Sequence, residues 1–292
     1  MPTRTGAHAP QRHPDRLDRR IAKLPPRLRW AAGVVRLTLR EPVDSLDRIL
    51  VRLRNLRDPG EHKRHEYAVD ADWHRRLHER LGLDWPCGPT NEFERLWPQI
   101  VAEANAQGVA LGRGTYGGWD DADPGLARAV WCLMVHLRPK TVVETGVARG
   151  VTSRVILEAL ERSGSGHLWS IDLPAMDPSL HHEIGVAVPE RLRGRWTYIT
   201  GTSRRRLPRL LSEIGPIQFF VHDSSHTERN VGFELSQAWG AMEQGVILAD
   251  DIDQSAAFGT FAARLPDDAS LVVQADDGSA LFGIALRRIT HV

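Results

Sequence analysis

From about residue 141 onward the chain alternates between short apolar runs and amphipathic stretches of helix length, and few folds accommodate that grammar. The runs occupy residues 141–145, 168–171, 196–200, 217–221, 246–249, 271–274 and 281–286, and helical periodicity fills most of the intervals, as at 151–162 and 229–242. Strands this apolar are buried on both faces. The alternation therefore predicts βαβ units, a mainly parallel sheet with helices on each side. The last two runs are joined through Ala275-Asp276-Asp277-Gly278, too short for a crossover helix, so the final strand should run antiparallel.

Upstream of residue 120 the pattern is helical and less regular. Leu46, Ile49, Leu50, Leu53 and Leu56 share the spacing of one helix face; Trp73, Leu77 and Leu81 repeat it, and Phe93, Leu96, Ile100 and Ala104 suggest another helix. The expected organisation is a disordered basic tail over 1–15, a helical region over 16–119 and an α/β domain over 120–292. The net charge of +1 hides a division between these parts. Residues 1–60 hold 14 basic against 6 acidic side chains, and residues 61–292 hold 24 against 31. The basic amphipathic stretch 27–57 reads as a solvated helix face, with an anionic surface as the alternative. Lysine occurs only at 23, 63 and 140, leaving 35 arginines, which we read as coding bias unless planar anion recognition is required. No run reaches the roughly 18–20 apolar residues of a membrane span, and the first 20 residues lack the apolar core of a signal peptide. A cytoplasmic protein is expected, with no nucleic-acid partner and with a homo-oligomer compatible with the sequence. Cys87 and Cys132 have no paired spacing and read as buried or incidental thiols in a reducing compartment.

In open α/β sheets ligands bind beyond the carboxyl ends of the strands. The first such end is Val143-Glu144-Thr145-Gly146-Val147-Ala148-Arg149-Gly150, followed by a helix whose N-terminal N–H groups are available. Gly146 and Gly150 permit a tight turn and close approach of a ligand. Asp172, 22 residues past Gly150, ends the second strand, where a carboxylate can accept from ribose hydroxyls. Gly201-Thr202-Ser203 follows the third strand. The plainer reading keeps the glycines for packing and Asp172 for a helix cap. The loop is not G-x-G-x-x-G, and Glu144 would repel a pyrophosphate but suits a cationic ligand, which favours S-adenosylmethionine over NAD.

With these motifs the sequence resembles the class I S-adenosylmethionine-dependent methyltransferases over about residues 120–292. The resemblance implies a Rossmann-like seven-stranded sheet in the order 3-2-1-4-5-7-6. It also implies Glu144, Gly146, Gly150, Asp172, Thr202, Ser203 and Asp223 as cofactor-binding residues.

A second constellation follows the fourth and fifth strands: His222-Asp223-Ser224-Ser225-His226 and Asp250-Asp251-Ile252-Asp253. If the two strands are neighbours, Asp223, Asp250 and Asp251 converge, and three carboxylates together call for a cation such as Mg²⁺ or Mn²⁺. Alternatively, Asp250 and Asp251 cap a helix near Gln254, Asp223 caps one near Thr227, and His226 is a hydrogen-bonded structural histidine. The pattern is similar to the metal-dependent O-methyltransferases, most of all those that act on sugars in macrolide biosynthesis. That likeness implies the three aspartates as metal ligands, His226 as general base and a small-molecule hydroxyl as acceptor. His222 should be structural. Arg204-Arg205-Arg206 reads as a solvated helix start, with phosphate or carboxylate binding as the alternative. Adjacent His181 and His182 diverge on a helix and are discounted as ligands. Tyr116 and Trp119 are either lid contacts or loop anchors. The rival classes are an NAD-dependent oxidoreductase, which Glu144 and the missing third glycine disfavour, and a non-catalytic partner in a biosynthetic complex.

Overall fold

The computed structural model describes residues 20–21, 23–40, 42–55, 65–276, 278 and 280–289; the expected tail at 1–15 and Leu56 lie outside them. Seven strands form one sheet: β1 (Thr141–Thr145), β2 (His167–Asp172), β3 (Trp196–Thr200), β4 (Ile217–His222), β5 (Met242–Ala249), β6 (Ser270–Gln274) and β7 (Leu281–Arg287). Their order is β3-β2-β1-β4-β5-β7-β6. All pairs are parallel except those of β7, which runs antiparallel to β5 and β6. This is the predicted α/β sheet.

Period-two alternation assigns strand residues to opposite faces. Val142, Phe219 and Val246 pack with α3 (Trp73–Leu81), α4 (Gly88–Ala106), α5 (Pro124–Leu137) and α6 (Val151–Ser163) through Leu77, Phe93, Leu133 and Ile156. Val143, Phe220 and Ile247 face the other layer, formed by α7 (Ser203–Ile214), α8 (Glu228–Gly240) and α9 (Ala257–Ala262). Because α3 and α4 share a core with the sheet, packing runs continuously across residue 120. Outside that core, α1 (Pro26–Arg40) and α2 (Pro42–Asn55) behave differently. Leu46, Ile49 and Leu53 do share a face of α2, but they are 53–57% exposed. The side of α2 that meets the protein is polar, through Asp47 and Arg48.

One boundary departs from expectation. Met242, assigned by periodicity to the preceding helix, opens β5 opposite Ile217, and the register then shifts so that Phe219 faces Val246. Gly245 makes the irregularity feasible. Its φ is +143°, and a Cβ there would lie 2.0 Å from the Gln218 carbonyl oxygen. Gly232 sits in α8 with nothing within 4 Å of its virtual Cβ. Alanine at these two glycines should therefore act with opposite sign. We expect Gly245→Ala to destabilise by about 2 kcal/mol or more, and Gly232→Ala to stabilise by about 0.5–1 kcal/mol. Urea unfolding of both variants measures the contrast; equal effects would disprove the steric account.

Candidate active site

The site lies along the carboxyl edge of β1, β4 and β5, where Thr145 pairs with His222 and His222 with Ala249. The ladder continues one residue beyond the strands, with the Asp223 amide donating to the Thr145 carbonyl (2.8 Å) and the Asp250 amide to that of His222 (2.9 Å). Gly146, Asp223 and Asp250 are thereby set side by side. At Gly146, with φ +85°, a Cβ would lie 1.8 Å from the Asp223 carbonyl oxygen. At Gly150, with φ +79°, it would lie 3.0 Å from Gly185 Cα. The chain's own backbone thus makes the close approaches that demand these two glycines. Between them, Ala148 is held at φ +46°, a strained value for a residue with a side chain.

Glu144 is fully buried. Its Oε2 accepts from Ser153 Oγ (2.6 Å) and Ser170 Oγ (2.7 Å), while Oε1 has no hydrogen-bond partner. Burial pushes its carboxyl up to about 7, against the pull of the two serine hydroxyls. At the end of β2, Asp172 accepts from Tyr198 Oη (2.9 Å) and the Val147 amide (3.3 Å). Its carboxyl too is raised by burial. Thr202 is buried and donates to Asp47 of α2 (2.5 Å); Ser203 opens α7 and donates to Asn230 (3.3 Å). An unpartnered buried acceptor at Glu144 and a carboxylate at the tip of β2 fit a ligand that brings ammonium and hydroxyl donors.

The second constellation is brought together as well. Burial, the negative charge of Glu144 and that of Asp251 hold the Asp223 carboxyl well above its ordinary range. Burial together with Asp223 and Asp251 does the same to Asp250. Neither acts as a helix cap: α8 begins after Thr227 without a side-chain cap, and so does the 3₁₀ turn Ile252–Gln254 after Asp251. Asp251 takes a left-handed φ of +50° and accepts from Gln254 Nε2 (2.6 Å). His226 Nε2 is 3.7 Å from Asp251 Oδ2, longer than a hydrogen bond. Burial and the neighbouring His222 hold the His226 imidazole down at about 3. His222 is fully buried and bonds Glu234 through Nδ1 (2.6 Å). Glu234 also accepts from Thr145, Ser224 and Asn230. Burial raises its carboxyl, but His222 and the hydrogen bonds outweigh that and bring it to about 2.

Several contributors were not read from the sequence. Asp123 caps α5 by accepting from the Gly125 amide (2.7 Å), and its charge reaches Asp223 and Asp250. Its signature was the cap-like Asp123-Pro124-Gly125. Arg149, inside the first motif, carries the most contacts. Its guanidinium donates to Ala110 O, Thr115 O, Thr115 Oγ1, Asp121 Oδ2 and Glu183 Oε2, all within 2.9 Å, and lies over the Tyr116 ring. Tyr116 is buried beneath it and Trp119 is 70% exposed, so the loop 112–121 is pinned to the β1 turn. Arg48 donates to Pro174 O (2.8 Å), and the Tyr67 hydroxyl donates to Ser255 O (2.9 Å). The N-terminal region thus borders the sheet edge at three points. The arginine triplet is less solvated than expected: Arg204 bonds the Arg229 carbonyl, Arg205 pairs with Asp47, and Arg206 bonds the Thr200 carbonyl.

Two predictions follow from these burials. Replacing Arg149 with Ala strands the buried Asp121 carboxylate, and we expect a loss of about 3–5 kcal/mol. Hydrogen exchange should accelerate first at 110–121, and unchanged protection there would refute the anchoring role. For Glu144 the folded value, about 7, lies above the ordinary 4.5. Its contribution is therefore complete below 4.5 and is lost as pH rises toward 7. Glu144→Gln should gain on the native protein by on the order of 3 kcal/mol between pH 4.5 and 7. Parallel stability curves for the two proteins would disprove it.

Comparison with known proteins adds a match over part of the chain. Residues 143–252 match the model of a family described as a methyltransferase domain. No curated protein matches. Among solved structures, the chain is similar to an O-methyltransferase from Bacillus cereus in complex with SAH, at 14% identity, a TM-score of 0.49, and coverage of 73% of this chain and 97% of that one. It is also similar to a putative O-methyltransferase from Klebsiella pneumoniae (15%, TM-score 0.48, covering 73% and 94%). A third is the O-methyltransferase TomG from Streptomyces achromogenes, solved in complex with SAM (13%, TM-score 0.44, covering 75% and 99%). The matched segment spans the turn after β1, the strand ends of β2 to β5 and their carboxylates, on a sheet whose order and single reversed strand are those the sequence resemblance implied.

Proposed function

We propose that the chain is an S-adenosylmethionine-dependent methyltransferase acting on a hydroxyl of a small molecule, a sugar or another natural product, with Mg²⁺ (or Mn²⁺) held by Asp223, Asp250 and Asp251 and with His226 as general base. The observation that carries the reading is the meeting of Asp223 and Asp250 at one strand edge, both driven toward their protonated forms by burial and by neighbouring negative charge, Glu144 and Asp251 on Asp223, Asp223 and Asp251 on Asp250. Carboxylates assembled at such a cost, with no capping duty, have the donor chemistry of a hard-cation site.

Glu144 and Asp172 would receive the ammonium and ribose hydroxyls of S-adenosylmethionine, beside Thr202 and Ser203. When bound, the cofactor supplies an electrophilic methyl group on its sulfonium. His226 is largely buried and, with its imidazole held near 3, stands unprotonated at neutral pH, ready to accept a proton at a ring nitrogen. The same burial makes it a weak base, so the hydroxyl it serves must be made acidic. A divalent ion at the three carboxylates supplies that acidification when bound. Glu234 and His222 keep the strand end rigid beneath the base, and the N-terminal segments around Arg48, Tyr67 and Tyr116 narrow the approach for solvent.

The test is a screen of sugars and glycosylated natural products with labelled S-adenosylmethionine. Transfer to oxygen is expected, and transfer confined to nitrogen or carbon would overturn the reading. On the acceptor found, chelation should abolish turnover and Mg²⁺ restore it; activity indifferent to chelator removes the ion. His226→Ala should lower kcat by about 10²–10⁴-fold while calorimetry shows S-adenosylmethionine affinity unchanged. Near-native turnover would remove His226 from its role.

A further inference from the structure

Away from the sheet edge, four side chains with strong metal affinity meet in the interior. They are His78 on α3, Cys87 at the residue before α4, and Cys132 and His136 one turn apart on α5. One donor atom from each lies within 4.8 Å of all the others, and His78, Cys87 and Cys132 are buried. The sulfurs are 3.7 Å apart, and Cys132 Sγ is 3.4 Å from His78 Nε2. Both cysteines are free thiols. Tetrahedral zinc with its usual bond lengths places two thiolate sulfurs about 3.8 Å apart and a sulfur and an imidazole nitrogen about 3.6 Å apart. The spacing is that of ligands around an ion.

The surroundings support the same chemistry. His78 Nδ1 lies 2.7 Å from the His74 carbonyl oxygen, which can only accept, so Nδ1 carries the proton and Nε2 turns a lone pair toward the sulfurs. A carbonyl-oriented imidazole of this kind is the usual outer support of a metal-bound histidine. Thr90 Oγ1 is 3.2 Å from Cys87 Sγ, a donor suited to a thiolate. His136 Nε2 is buried without a hydrogen-bond partner. The ring of Trp85 packs against both His74 and His78 and keeps the pocket apolar.

From this geometry we infer a structural Zn²⁺ site formed by His78, Cys87, Cys132 and His136. Two thiolates and two neutral imidazoles complete a tetrahedron, a closed site with no position for substrate, and their softness selects zinc over the hard cations suited to the aspartates. The ion joins α3 and the start of α4 to α5, the helix that Asp123 begins beside the acidic cluster. It thereby ties the N-terminal region to the catalytic edge without taking part in catalysis.

The test uses the full chain, purified under reducing conditions without chelator. Elemental analysis and native mass spectrometry should find one zinc per chain, retained in Asp250→Asn and lost in Cys87→Ser and Cys132→Ser. Exchange with Co²⁺ should give intense tetrahedral visible bands with thiolate charge transfer. His136→Cys, which preserves four ligands, should keep the zinc and the fold, guarding against a serine variant that merely misfolds. Removing zinc should lower the melting temperature and accelerate exchange in α3 first. No zinc in the purified chain and none taken up from a zinc salt would overturn the inference. So would zinc retained in both serine variants, a different native metal, or a mass two hydrogens lighter from a Cys87–Cys132 disulfide.

Discussion

The parallel register of β1, β4 and β5 is the constraint on which the candidate site depends. With Thr145, His222 and Ala249 level with one another, the next residues of all three strands emerge together. Gly146 has to be glycine because the Asp223 peptide occupies the space its side chain would need. A slip of one residue would turn every side chain to the opposite face and separate the carboxylates. The acidic cluster is thus a consequence of strand pairing, and its electrostatic strain is carried by the sheet's hydrogen bonds and by the core on both faces.

Arginine supplies the other long-range order. The arginine excess, 35 against three lysines, read from composition as coding bias. In the folded chain, Arg149 gathers two carbonyls, a hydroxyl and two carboxylates around the first turn, and the fully buried Arg154 links Glu103, Glu158 and the Ala187 carbonyl. A planar guanidinium with five donors can serve so many acceptors; an ammonium cannot. Whatever set the composition, the fold uses it.

Strand limits were legible because apolar runs bounded by turn residues are a local property. Trp196–Thr200 is one example; the start of β5 at Met242 is the exception, since only the opposing Gln218 shows why the strand begins early across a bulge at Gly245. The convergence of Asp223 with Asp250 was legible from strand order. Asp123 and Arg149 were not, because their partners come from segments distant in the chain. His78, Cys87, Cys132 and His136 left one local trace, the Cys132-x-x-x-His136 spacing that places both on one helix face. Nothing in the sequence set His78 or Cys87 beside them.

Sequence alone determined the α/β class, the reversed final strand, the turn after β1 and the identity of the acids at the strand tips, because each rests on local periodicity or on a strand's end. Tertiary structure decided what surrounds them. It put Glu144 under two serines and out of water, gave Asp223 and Asp250 to each other, pinned the loop 112–121 to Arg149 and brought two cysteines and two histidines within reach of a single ion. Burial and proximity set the charge state and partners of an ionisable side chain, and both belong to the folded chain.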